Sequence, residues 1–156
     1  MSDTISDPSQ VIKTINGLIE INRDAQLGYQ AAANKIGTQH IKAFCLEQSH
    51  ARARFVEELQ PIVLSLGERP GDKGTVTGAL RRGWMDLKST LGGGDHAILV
   101  VIEAGEDHAV NEYEKALETS LPLGLMNILE RQCSDVDRAH VKVAAMRDSV
   151  QHASHK

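Results

Sequence analysis

Residues 11–36 read VIKTINGLIEINRDAQLGYQAAANKI, and in that stretch Val11, Ile15, Leu18, Asn22, Ala25, Tyr29, Ala32 and Ile36 recur at alternating steps of four and three. A helix turns once in about 3.6 residues, so these positions share one face, interrupted only by Asn22. Pro8 and Ser9 supply a start signal, and Gly37 and Thr38 break the run. Thr38 is a suitable N-cap for a second helix. That helix carries Ile41, Phe44, Gln48, Ala51, Phe55, Leu59, Ile62 and Leu66 before Gly67 and Pro70. Pro61 lies in its last turns and predicts a kink or a shortened end, because proline has no N–H for the helical ladder.

A third stripe, Leu99, Ile102, Glu106, Ala109, Tyr113 and Ala116, follows three glycines and Asp95, which can cap it. Ser120-Leu-Pro122 resets the chain, since proline favours a first helical turn. The fourth stripe is Met126, Leu129, Cys133, Val136, His140 and Val143. The pattern therefore predicts helices over 9–36, 39–66, 95–119 and 122–150. The connection 67–94 has an apolar face of its own in Val76, Ala79, Leu80, Trp84, Leu87 and Leu91, which predicts a short extra helix within 75–91. Two antiparallel hairpins joined by a long crossover form an all-α, ferritin-like four-helix bundle. The expectation is one domain over 1–156, with flexible tails at 1–8 and 151–156. Asn22 and Tyr29 share their spacing, with an alanine between, with Glu106 and Tyr113, which hints at a duplicated hairpin.

Composition narrows the function classes. The 156 residues are 41% hydrophobic and 24% charged but only 3% aromatic, so the core must be aliphatic. A net charge of -4 and no concentrated basic surface exclude the electrostatic footprint of a nucleic-acid binder. No stretch reaches the length of a membrane span, and the first residues lack the basic and apolar regions of a secretory signal. Cys45 and Cys133 have neither disulfide-scaffold nor zinc spacing and read as reduced small hydrophobes in a cytoplasmic protein.

Gly28-Tyr29 before an alanine-rich turn, Gly78-Ala-Leu-Arg-Arg-Gly-Trp-Met-Asp-Leu-Lys88, Gly105-Glu-Asp107, Tyr113-Glu-Lys-Ala-Leu117 and His140 carry a resemblance. The chain resembles the ferritin-like superfamily, in a bacterial branch of small four-helix-bundle proteins classed as a domain of unknown function. The resemblance implies the bundle fold along nearly the whole chain and a homodimer, and it implies little chemistry.

Active di-iron relatives place a Glu on two helices and a Glu-x-x-His pair on the other two, all directed inward. Glu47-Gln-Ser-His50 has that spacing, yet Glu47 falls roughly 90° and His50 roughly 150° from the stripe centre, so His50 should face solvent. In Asp137-Arg-Ala-His140, His140 lies in the stripe and Asp137 about 80° away. One polar residue per helix is left inside the heptads: Asn22, Gln48, Glu106 and His140. These four form either a register-fixing polar core or part of a metal site. Glu103, about 85° from its stripe centre, and Glu106 are the best-placed acidic pair. An iron site would use Glu103, Glu106 and His140, with Cys133 as a further neighbour.

No nucleophilic triad can be assembled, no catalytic residue is assigned, and Gly92-Gly-Gly94 lacks the Lys-Ser/Thr ending of a phosphate loop. The first reading is thus a non-catalytic bundle with a degenerate metal site, in a stress-related or interaction role, with no cofactor. The alternatives are an iron-binding or di-iron oxidase-type protein, and a helical interaction module that presents the crossover with Trp84.

Overall fold

A computed structural model describes residues 7–70 and 94–154, with side chains through residue 150. Four helices account for them: α1 (Pro8–Lys35), α2 (Gln39–Ser65), α3 (Gly94–Leu117) and α4 (Leu123–Ser154). There is no strand among the described residues, and no helix there is long and apolar enough to cross a membrane. The expected short helix within 75–91, and Trp84 with it, lies outside the described residues. Most of the expected tails lies there too, although Pro8 already belongs to α1 and α4 continues to Ser154.

Local chemistry sets the boundaries. Asp7 caps α1 by accepting a hydrogen bond from the Ser9 amide at 3.2 Å, and Pro8 occupies the first turn, where its missing N–H is harmless. Pro61 does not end α2, which continues to Ser65 because Leu59 and Val63 on either side are fully buried and packing outweighs one lost ladder bond. The helix stops where Gly67 adopts φ +87°, a left-handed conformation that spares any Cβ penalty. The Gly67 amide then donates to the Leu64 carbonyl at 3.0 Å and the Glu68 amide to that of Val63 at 3.2 Å, which closes a Schellman motif.

α1 packs beside α2 and α3, and α4 beside α3 and α2, so that α2 and α3 face each other along a diagonal. Neighbouring helices run antiparallel. The α2–α4 seam is the thinnest of the four. α2 ends at one end of the bundle, whereas α3 begins at the other, beside the α1–α2 turn. That connectivity is the ferritin-like one. Asp95 marks the join. Instead of capping α3, its carboxylate accepts from the Gly37 amide at 2.9 Å, the Thr38 amide at 3.0 Å and the Thr38 hydroxyl at 2.5 Å. Thr38 is the N-cap residue of α2, but its side chain is committed to Asp95 and makes no cap bond of its own.

The stripes of α1 and α3 are buried at every expected position. In α2 and α4 the buried face is turned by about one residue. α2 buries Ile41, Phe44, Phe55 and Leu59 of the expected stripe together with Cys45, Ser49, Arg52, Val56 and Val63, while Gln48, Ala51 and Ile62 sit at the edge and Leu66 is exposed. α4 buries Leu125, Leu129, Gln132, Val136, Ala139, Val143 and Met146, while Met126, Cys133 and His140 are only half-buried.

Candidate functional site

That one-residue turn changes the chemistry of the centre, because it brings Arg52 inward. Arg52 and Glu106 are both 0% exposed and form an ion pair across the α2–α3 diagonal, with Nη2 donating to Oε2. Tyr29 on α1 donates its hydroxyl to the same carboxylate oxygen at 2.5 Å. The guanidinium stacks against two rings, 5.7 Å from the Tyr29 centroid and 6.0 Å from that of Phe55, and Tyr29 meets Phe44 edge-on. Charge, hydrogen bond and ring contacts together compensate a guanidinium that has left water.

A second polar line runs beside the pair. Asn22 Nδ2 donates to the Leu18 carbonyl at 2.8 Å and to the Tyr113 hydroxyl at 2.7 Å. Tyr113 in turn donates to Gln132 Oε1 at 2.7 Å. Gln132 Nε2 donates to Glu58 Oε1 at 2.9 Å, and the other Glu58 oxygen holds Arg131 at 2.5 Å near the surface. The network therefore ties all four helices together and emerges between α2 and α4.

Its electrostatics favour fixed protonation states. Burial, then the Glu106 charge, pushes the Tyr29 phenol well above its ordinary value, and burial likewise raises Tyr113. Burial works against the charge on Arg52, but the Glu106 carboxylate outweighs it and the guanidinium pKa rises. Cys45 is pushed up to about 12 by burial and then by the Asp95 charge, and Cys133 is raised by burial and nearby Glu114. None of these tyrosines or thiols is set to exchange a proton or attack a substrate near neutral pH.

The expected site residues part company here. Asn22 and Glu106 are fully buried in the core. Gln48 is half-buried on the rim of a groove between α2 and α4. His140 Nε2 stands 3.6 Å from Asp107 Oδ1 near the surface. Glu103 pairs with Arg147, so Glu103, Glu106 and His140 each hold a different partner. Glu47, His50 and Asp137 are exposed. Sequence reasoning missed Arg52 and Gln132. The signal for Gln132 was present, since Leu125, Leu129, Val136, Ala139, Val143 and Met146 hold a strict four-three alternation with it.

The residues do not fit the metal pair that a ferritin-like bundle implies. Among the described residues, no group of three or more His, Cys, Asp or Glu side chains could hold a metal ion. The single carboxylate of the central ion pair is already bound to a permanent cation. Glu106 Oε1 has no hydrogen-bond partner among the described residues, but neither have Nε and Nη1 of the Arg52 guanidinium, which already holds the other carboxylate oxygen. A divalent ion entering there would meet repulsion.

The model of a family described as a domain of unknown function, DUF2383, matches residues 10–119, which take in α1, α2 and α3. The chain belongs to that family. No curated protein matches this DUF2383 member. A crystal structure from Anabaena variabilis, a two-domain protein containing DJ-1/ThiJ/PfpI-like and ferritin-like domains, is similar with a TM-score of 0.75 at 12% identity. The likeness covers 95% of this chain and 39% of that one, and it shows the ferritin-like fold alone.

Proposed function

We infer that this DUF2383 protein is a non-catalytic ferritin-like bundle with an interaction role, its centre built on a guanidinium–carboxylate pair in place of a metal pair. The observation that carries this reading is the fully buried contact between Arg52 and Glu106, with Tyr29 on the same oxygen. A buried carboxylate needs a counter-charge, and in metal-binding relatives the metal supplies it. Here an arginine does so. Its guanidinium stays protonated at any ordinary pH, so it can neither take up a proton as a base nor yield to a metal by deprotonating. The alternative iron-binding or di-iron reading requires Glu103, Glu106 and His140 to leave three separate partners and converge. The reading that makes the crossover with Trp84 an interaction module concerns residues outside those described.

Elemental analysis tests this reading on untagged protein purified from an iron-supplemented culture, because affinity tags scavenge metal. The reading expects iron far below one equivalent per chain. One or two equivalents that are lost in Glu106→Gln would overturn it.

A further inference from the structure

We propose that two copies of this chain associate face to face through the α2–α4 groove, each copy's α2 rim against the other's α4 rim. The thin seam between α2 and α4 opens into a groove of about 680 Å³. Phe44 and Phe55 contribute to its floor, and charged side chains form both rims. Two contacts set the levels of the rims. Lys142 Nζ lies 5.4 Å from the Phe44 ring centroid, and Arg131 holds Glu58 at 2.5 Å. One helical turn inward from these contacts, Glu47 is level with Arg138 and Arg54 is level with Asp135. At each level the two rims carry opposite charges.

Within one chain, Glu58–Arg131 is the one ion pair that crosses this groove among the described residues, and Arg138 turns back to Asp135 on its own helix. Glu47, Arg54, Glu57, Arg131, Arg138 and Lys142 are all solvent-exposed. A two-fold axis parallel to the helices, lying in front of the groove, preserves levels and exchanges sides. It brings the α2 of one copy opposite the α4 of the other. Glu47 then meets Arg138, Arg54 meets Asp135, and Glu57 meets Arg131. Such a surface is self-complementary, as an isologous interface requires, and the complement lies in register on the same chain. The proposal is independent of how the buried core is read.

Sedimentation velocity tests it with charge-reversed rims. The parent should be a dimer at low ionic strength and dissociate at about 1 M salt, where screening shortens to about 3 Å. Glu47→Lys with Glu57→Lys should be monomeric alone, and so should Arg138→Glu with Lys142→Glu. An equimolar mixture should dimerise again, because each reversed rim then meets an opposite one. A parent that stays monomeric at high concentration overturns the proposal, as does a reversed variant that dimerises like the parent or a mixture that stays monomeric. Circular dichroism checks each fold. If a double reversal loses helix, Glu47→Gln and Arg138→Gln replace it, each expected to weaken dimerisation at least tenfold.

Discussion

Arg52 and Glu106 make contact without any access to water, and that setting decides what each substitution does. Removing one member of a buried pair leaves the other charge unpaired, which costs about 3–5 kcal/mol, whereas apolar replacement of both is often neutral or better. Denaturant unfolding should therefore find Glu106→Leu and Arg52→Met each strongly destabilised, and the double variant closer to the parent than either. If the double variant loses the sum of both single losses, the two residues do not act as a pair. Tyr29→Phe deletes one hydrogen bond to the carboxylate and should cost about 1.5–3 kcal/mol by the same assay. At this scale the sequence was half legible. Asn22 and Glu106 stood out because they interrupt apolar heptads. Arg52 did not, because a charged residue is normally counted as surface, and only a partner 54 positions away makes its burial tolerable.

Helix by helix, the stripes of α1 and α3 were readable, since each contains a single polar interruption. Those of α2 and α4 were legible in part: Ile41, Phe44, Phe55, Leu59, Leu129, Val136 and Val143 are buried as the spacing predicts, but the stripe is displaced by about one residue between them, since Ala51, Cys133 and Met126 offered apolar alternatives to the polar Arg52 and Gln132. This displacement put Gln48 and His140 in the expected core and left the true partners out. It did not affect His50, which is exposed, so His50→Ala should change stability by no more than about 0.5 kcal/mol in thermal or denaturant melts. The ends of the elements add a pH dependence. Burial alone would raise the Asp95 pKa, but hydrogen bonds from the Thr38 hydroxyl and the Gly37 and Thr38 amides bring it below its ordinary value. A carboxyl lowered by folding contributes stability that is complete above its unfolded pKa of about 3.9 and is lost as pH falls through the folded value. Acid titration should thus show Asp95→Asn less stable than the parent at neutral pH, with the gap narrowing below about pH 4. A gap that stays constant into acid would separate the stability loss from the carboxylate charge.

Across the whole molecule, the polar network and the α2–α4 groove are two ends of one arrangement. The line from Asn22 through Tyr113 and Gln132 reaches Glu58 and Arg131 at the groove, where the bundle is most thinly packed. Connectivity was legible because glycine and proline punctuate each helix, whereas the central chemistry depends on contacts between helices distant in sequence. In the proposed reading, the Arg52–Glu106 ion pair stands where active relatives hold a metal pair. Any ligand that binds the folded state alone raises its stability, by about 2.7 kcal/mol at a hundredfold excess over its dissociation constant. The most direct measurement is therefore denaturant unfolding of the parent and of Glu106→Gln, with and without ferrous iron under anaerobic conditions. With the ion pair in that place, iron should leave both midpoints unmoved. A midpoint that rises with iron in the parent and not in Glu106→Gln would contradict it, by making Glu106 a metal ligand.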